Sequence, residues 1–171
     1  AFTQIGTFAR MHIASVDAST AALNAFDPAA DYFYINDIVV SPDDLTLYTG
    51  GYFKNIGGQA RNYIAQLDAN TGFATSWNPG ATEQVSKIIL NGSNIFVAGY
   101  FASTGGKNRN RIAALNIETG EATNWDPNAD NYVTSIAVHE TSVFVGGNFT
   151  GIGGQVRNYL AELDQTTGLA T

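Results

Sequence analysis

The chain repeats itself. Phe53, Phe101 and Phe149 lie 48 residues apart, as do Gly58, Gly106 and Gly154, Arg61, Arg109 and Arg157, and the pair Trp77 and Trp125. An earlier copy aligns at a spacing of 51: Phe2 with Phe53, Gly6 with Gly57, Arg10 with Arg61, and Phe26-Asp27-Pro28 with Trp77-Asn78-Pro79. Its three extra residues fall in two places, one near residues 31–36 and two in the turn at 41–46. A period of this length confines the chain to architectures in which one supersecondary unit stacks on copies of itself. The copies run over 2–52, 53–100 and 101–148, with a partial copy at 149–171, in one repeat domain spanning 1–171.

Each copy divides into four strand-length apolar segments. In the copy beginning at Phe101 they fall at 111–116, 121–125, 132–138 and 143–149, rich in β-branched and aromatic residues. Gly, Asn, Asp and Pro separate them, as turns require. Asn91-Gly92 is a hairpin signal, and Thr71-Gly72, Thr119-Gly120 and Thr167-Gly168 mark further tight turns. No stretch of ten or more residues carries 3.6-residue periodicity, so essentially no helix is expected. Four antiparallel strands in 48 residues is the unit of a β-propeller blade. The run Ile95-Phe96-Val97-Ala98 is apolar throughout, as a strand buried on both faces must be. Gly51, Gly99 and Gly147 recur where a close backbone approach is expected. Trp77, Trp125 and Phe26 are expected to wedge between blades.

Composition narrows the function. The chain of 171 residues has no cysteine and two histidines, so thiolate sites and a three-histidine metal site are excluded. Charged residues make up 13%, about half the usual share, and the net charge is −7. That balance argues against nucleic acid or an anionic membrane as partner, and no apolar run is long enough for a membrane helix.

The pattern from Val143 to Gly168, Val-Phe-Val-Gly-Gly-Asn-Phe-Thr-Gly-Ile-Gly-Gly-Gln-Val-Arg-Asn-Tyr-Leu-Ala-Glu-Leu-Asp-Gln-Thr-Thr-Gly, resembles the repeats of bacterial secreted and surface proteins known as delta-60 or uncharacterised β-propeller repeats. It also looks like the propeller of fungal cortical polarity markers. The resemblance implies an extracellular, often adhesive parent protein and no common catalytic site. Ala65-Gln-Leu-Asp-Ala-Asn-Thr-Gly72 followed by Trp77 is similar to the tryptophan-docking motif of quinoprotein propellers, with four residues between Gly and Trp where that motif has three. That motif is a blade-packing device. The calcium ion and general-base Asp of quinoprotein catalysis have no counterpart set here.

Comparison between copies separates scaffold from function. Arg10, Arg61, Arg109 and Arg157 recur, which points to a structural role, bonding a carboxylate or turn carbonyls near Asp17, Asp68, Asn116 and Asp164. Lys107, Arg109 and Arg111 alternate, so an extended segment would present them together as a docking patch. Asp126, Asn128 and Asp130 show the alternating oxygens of a calcium loop, without its glycine or closing Glu. His12 and His139 read as exposed variable positions. Tyr32-Phe33-Tyr34 is a non-repeated aromatic cluster, a candidate for sugar stacking or an interface as well as for packing in an end blade.

Three repeats and about half of a fourth fall short of a closed propeller, and the two ends duplicate one half-repeat. The chain begins at Ala1 without an initiator Met, which suggests a processed piece. The expectation is an all-β propeller of about three and a half four-stranded blades, not closed by this chain alone. The expected function is a non-catalytic extracellular or cell-surface module, structural or adhesive. Its expected partners are further blades of a parent protein or copies of itself, in a self-assembling filament, with no cofactor. The alternatives are a carbohydrate-binding module and a quinoprotein-like or hydrolytic enzyme.

Overall fold

Apolar strands punctuated by Gly- and Asn-bearing turns fold into three successive antiparallel sheets. The structure is a computed structural model and describes residues 2–31 and 33–171. A leading segment opens with a short hairpin, β1 (Gln4–Ile5) and β2 (Phe8–Ala9). Blade 1 follows: β3 (Tyr34–Val40), β4 (Thr46–Tyr52), a small hairpin β5 (Asn55–Ile56) and β6 (Gln59–Ala60), then β7 (Ile64–Asp68). Blade 2 repeats this with β8 (Val85–Asn91), β9 (Asn94–Gly99), β10 (Ser103–Thr104), β11 (Lys107–Asn108) and β12 (Ile112–Asn116). Blade 3 comprises β13 (Val133–His139), β14 (Ser142–Gly147), β15 (Gly151–Ile152), β16 (Gln155–Val156) and β17 (Leu160–Asp164).

The sheet orders are β3-β4-β7, β8-β9-β12 and β13-β14-β17, with the middle strand paired on both sides. No helix occurs among the described residues. The fourth strand of each blade is reduced to one antiparallel bridge, Leu67 with Ala74, Leu115 with Ala122 and Leu163 with Ala170. The cause is local. The Asn116 N–H donates to the Glu121 carbonyl and the Thr123 N–H to the Ala114 carbonyl, but the Thr123 carbonyl accepts from Arg109 and is diverted from the ladder. Register places the extra residues of the first copy: Ile35 pairs with Gly51 as Val85 does with Gly99, and Val40 pairs with Leu47 as Leu90 does with Ile95. Each first strand carries a bulge at the same point, between Ile35 and Asp37, Val85 and Lys87, and Val133 and Ser135.

The bulge explains the glycines of the second strands. A Cβ on Gly51, Gly99 or Gly147 would overlap the carbonyl oxygen of Tyr34, Gln84 or Tyr132 respectively. The core lies between blades. Ile112 and Phe96 of blade 2 pack with Val133, Val143 and Val145 of blade 3, and Tyr48 and Ile64 of blade 1 pack with Val85, Ile88 and Ile95 of blade 2. Ile13 and Phe26 of the leading segment cover Leu47, Phe53 and Leu67 of blade 1.

The ends of the stack are open. Phe144 and Leu160 of blade 3 are 39% and 68% exposed, whereas their blade 2 counterparts Phe96 and Ile112 are fully buried. At the other end Ile38 is 45% exposed, against 1% for Ile88 and 6% for Ile136. The leading segment therefore covers blade 1 only in part. Hydrogen bonds among the described residues do not link the last blade to the first.

Candidate functional site

The recurrent residues build the scaffold. Each arginine spans one turn in the same way. Arg61 donates Nη1 to the Ala60 carbonyl and Nη2 to that of Thr75, at 2.7 and 2.6 Å. Arg109 does so to Asn108 and Thr123, and Arg157 to Val156 and Thr171. Arg10 binds the carbonyls of Ala9 and Asn24. The planar fork of guanidinium reaches two fixed acceptors that an ammonium could not bridge. Where a carboxylate joins, it is Asp27 for Arg10 and Asp126 for Arg109, at 3.3 and 3.2 Å. Asp17, Asp68, Asn116 and Asp164 have a different task. Each accepts the backbone N–H groups two and three residues on, as in Asp68 with Asn70 and Thr71. The carboxyls of Asp17, Asp68 and Asp164 are held below the usual range, first by the backbone N–H and then by the hydroxyl of Thr20, Thr71 and Thr167.

The tryptophans lie between blades, as the sequence implies. Trp77 packs edge-on against Tyr48 of blade 1, ring centroids 5.2 Å apart, and its indole N–H points to the Asn116 carbonyl of blade 2 at 3.5 Å. Trp125 repeats this between Phe96 and Asp164, at 5.0 and 3.0 Å. Phe26 is buried in the cluster beneath the leading segment.

Two expected sites are not assembled. Lys107, Arg109 and Arg111 occupy three environments. Lys107 is exposed on a hairpin and Arg109 is buried with its fork spent on carbonyls. Arg111 has φ of 66°, which ends the extended alternation, and its guanidinium lies over the Tyr132 ring, 5.3 Å from the centroid. The oxygens of Asp126, Asn128 and Asp130 each face a protein donor: Arg109 Nη1, Asn110 Nδ2 and the Thr150 N–H and hydroxyl. Thr150 holds the Asp130 carboxyl below its usual range, by its hydroxyl first. Asp31 caps residues 54 and 55 in the same way, and Thr82 caps 102 and 103, so this position is a loop clamp. His139 is exposed at the end of β13. His12 is half-buried, with φ of 68°.

His12 belongs to the most informative column of the repeat. His12, Tyr63, Arg111 and Tyr159 all take left-handed backbone, with φ of 68°, 65°, 66° and 68°. Such a conformation costs a residue with a Cβ about 1–2 kcal/mol. Backbone bonds hold it: Tyr63, Arg111 and Tyr159 donate N–H to the carbonyls of Phe53, Phe101 and Phe149 and accept from Gly51, Gly99 and Gly147. The backbone is the same in every copy and the side chain is not. Two neighbouring columns also vary: Tyr34, Gln84 and Tyr132 before the bulges, and Tyr52, Tyr100 and Asn148 at the ends of the second strands.

These variable columns meet at one end of the blades. Tyr52, Thr82, Glu83, Gln84, Tyr100, Ala102, Arg111 and Tyr132 line a cleft of about 470 Å³ that draws on all three blades. Tyr100 and Tyr132 stack, with centroids 4.1 Å apart and planes at 33°. Phe33 and Tyr34 pack on Tyr52, at 5.7 and 6.1 Å, and Tyr52 packs on Tyr63, at 5.6 Å. The Tyr34 hydroxyl donates to Gln84 Oε1 at 3.2 Å. Two of the three aromatics singled out in the sequence thus flank the cleft; Tyr32 lies outside the described residues. Tyr52, Tyr100, Tyr132 and Glu83 escape sequence reading, because strand-end aromatics read as core. Their signal in the sequence is the change of residue between copies at one repeat position.

Stacked antiparallel blades on a 48-residue repeat define an all-β protein of β-propeller type. A family model described as a domain of unknown function, DUF5122, of β-propeller type matches residues 46–70 and 142–166. These are the same part of the blade, two repeats apart. No curated protein matches the chain. Among solved structures, the computationally designed Ika8 protein is similar at TM-score 0.58 and 14% identity, over 91% of this chain and 40% of Ika8. The computationally designed Ika4 protein is similar at TM-score 0.57 and 13% identity, over 86% of this chain and 76% of Ika4. The chain spans less than half the length of the first of these.

Proposed function

We propose that this chain is a non-catalytic structural and adhesive module of an extracellular or cell-surface protein, whose open blade is covered by another blade of the same kind. The observation that carries this reading is the face of blade 3. Phe144 and Leu160 stand exposed where the corresponding Phe96 and Ile112 are sealed by the next blade. The internal junctions say what fits: a sheet presenting residues such as Val133, Val143 and Val145. Exposed apolar faces of this kind mark protein interfaces. The sequence resemblance to secreted and surface propeller repeats supports the extracellular setting.

Light scattering across a concentration series tests the reading. The chain should self-associate through this face, and Phe144→Glu with Leu160→Glu should leave a folded monomer. A monomer at every concentration, or association untouched by the double substitution, overturns it.

A further inference from the structure

We infer that the cleft lined by Tyr52, Glu83, Gln84, Tyr100, Arg111 and Tyr132 is a binding site for a neutral oligosaccharide. The chemistry of the lining decides the class of ligand. Tyr52, Tyr100 and Tyr132 line the cleft, Tyr132 being 38% exposed and stacked against Tyr100, and aromatic lining of this kind suits the C–H face of a pyranose. Between them stand groups that hydrogen-bond hydroxyls. The phenol oxygens of Tyr100 and Tyr132 have no protein partner among the described residues, and Glu83 spends only Oε1, on the Gln84 N–H at 3.0 Å.

Apolar stacking surface interleaved with donors and acceptors suits a sugar better than a hydrocarbon or an ion. The volume, about 470 Å³, is that of an ordinary ligand cleft.

The charge of the whole chain favours a neutral ligand over an acidic sugar. The chain carries −7, and Glu83 adds a carboxylate to the wall. Arg111 pairs with no carboxylate among the described residues: its Nη1 donates to the carbonyls of Tyr100 and Phe101 and its guanidinium is seated over Tyr132, so its charge offsets that of Glu83 in the wall. It extends the stacking platform and fixes the Tyr132 ring.

The repeat points the same way. The column of His12, Tyr63, Arg111 and Tyr159 changes residue on an unchanged backbone, and the two columns beside it place Tyr52, Gln84, Tyr100 and Tyr132 in the cleft. The site is separate from the assembly reading and stands or falls without it.

Titration calorimetry and NMR on the intact chain test this, with hexasaccharides of β-1,4-glucose, β-1,4-N-acetylglucosamine and α-1,6-mannose as probes, and oligogalacturonate as the anionic control. At least one neutral hexasaccharide should bind and shift the ring signals of Tyr100 and Tyr132. Tyr132→Ala and Tyr100→Ala should each weaken it about tenfold or more. Leu160→Glu, at the open face of blade 3, should leave the affinity unchanged. Three results overturn the inference: no neutral probe binding at roughly 10 mM, a preference for galacturonate, or binding that leaves the two ring signals unmoved. The ring shifts are measured on the wild-type chain, so they hold whether or not any variant folds.

Discussion

The indole N–H of Trp125 donates to the Asp164 carbonyl at 3.0 Å, so a residue at the exit of blade 2 is tied to the last residue of the third sheet. The equivalent bond from Trp77 to Asn116 is stretched to 3.5 Å. Each ring also presses edge-on against an aromatic of its own blade. The junction thus combines a large apolar burial with one directional bond that sets the stagger between sheets.

Trp125→Phe should cost about 1 kcal/mol, since it removes one of two donors to the Asp164 carbonyl, which keeps the Gly168 N–H. Trp77→Phe should cost less, because the bond it removes is the longer one. Trp125→Ala should cost about 3–5 kcal/mol. Urea unfolding of the three variants ranks them; equal losses for the two Phe variants would contradict the geometry.

Gly99 and Gly106 should respond to alanine in different ways. A Cβ on Gly99 would strike the Gln84 backbone at the bulge, so Gly99→Ala should cost about 2–4 kcal/mol. Gly106 has open space around it and φ of +75°, so Gly106→Ala should cost only the backbone strain, about 1–2 kcal/mol. Thermal unfolding of the pair decides; a larger loss at Gly106 would refute the close approach.

Acid should loosen the turns that Asp68 and Asp164 cap. Both carboxyls are held below their ordinary value of 3.8, chiefly by the backbone N–H groups of Thr71 and Thr167. A depressed carboxylate stabilises the fold at pH above its unfolded value, and that contribution is lost as pH falls through the folded one. Stability should therefore hold above about pH 4 and decline below it. Blade 2 already has Asn116 at this position, accepting the same two N–H groups. Asp68→Asn with Asp164→Asn should flatten the acid limb of a melting-temperature profile; an unchanged slope would assign the loss elsewhere.

The repeat made most of the fold legible. Strand positions, the small residues at the bulge and the interblade tryptophans follow from spacing and from which residues recur. What escaped has physical reasons. The hairpins β5–β6, β10–β11 and β15–β16 have two-residue strands, too short to show a period of two. Their trace was the Gly-Gly pairs, which take positive φ at Gly57, Gly58, Gly105, Gly106, Gly153 and Gly154. Residues 121–125 have strand composition but form only the Ala122 bridge, because Arg109 takes the Thr123 carbonyl. Arg109 itself was half-legible: recurrence identified a structural residue but not its acceptors, which are main-chain atoms that no side-chain pattern reveals. The cleft was hidden because Tyr52, Tyr100 and Tyr132 meet only after three blades stack.

The left-handed column of His12, Tyr63, Arg111 and Tyr159 has a consequence for how such a chain diversifies. Each copy offers the same socket, its dihedral angles fixed by main-chain bonds and indifferent to the group plugged in. An imidazole, a phenol and a guanidinium are all accepted. A different side chain can therefore be installed one blade at a time without renegotiating the chassis, and lengthening the chain by a blade adds one more such position.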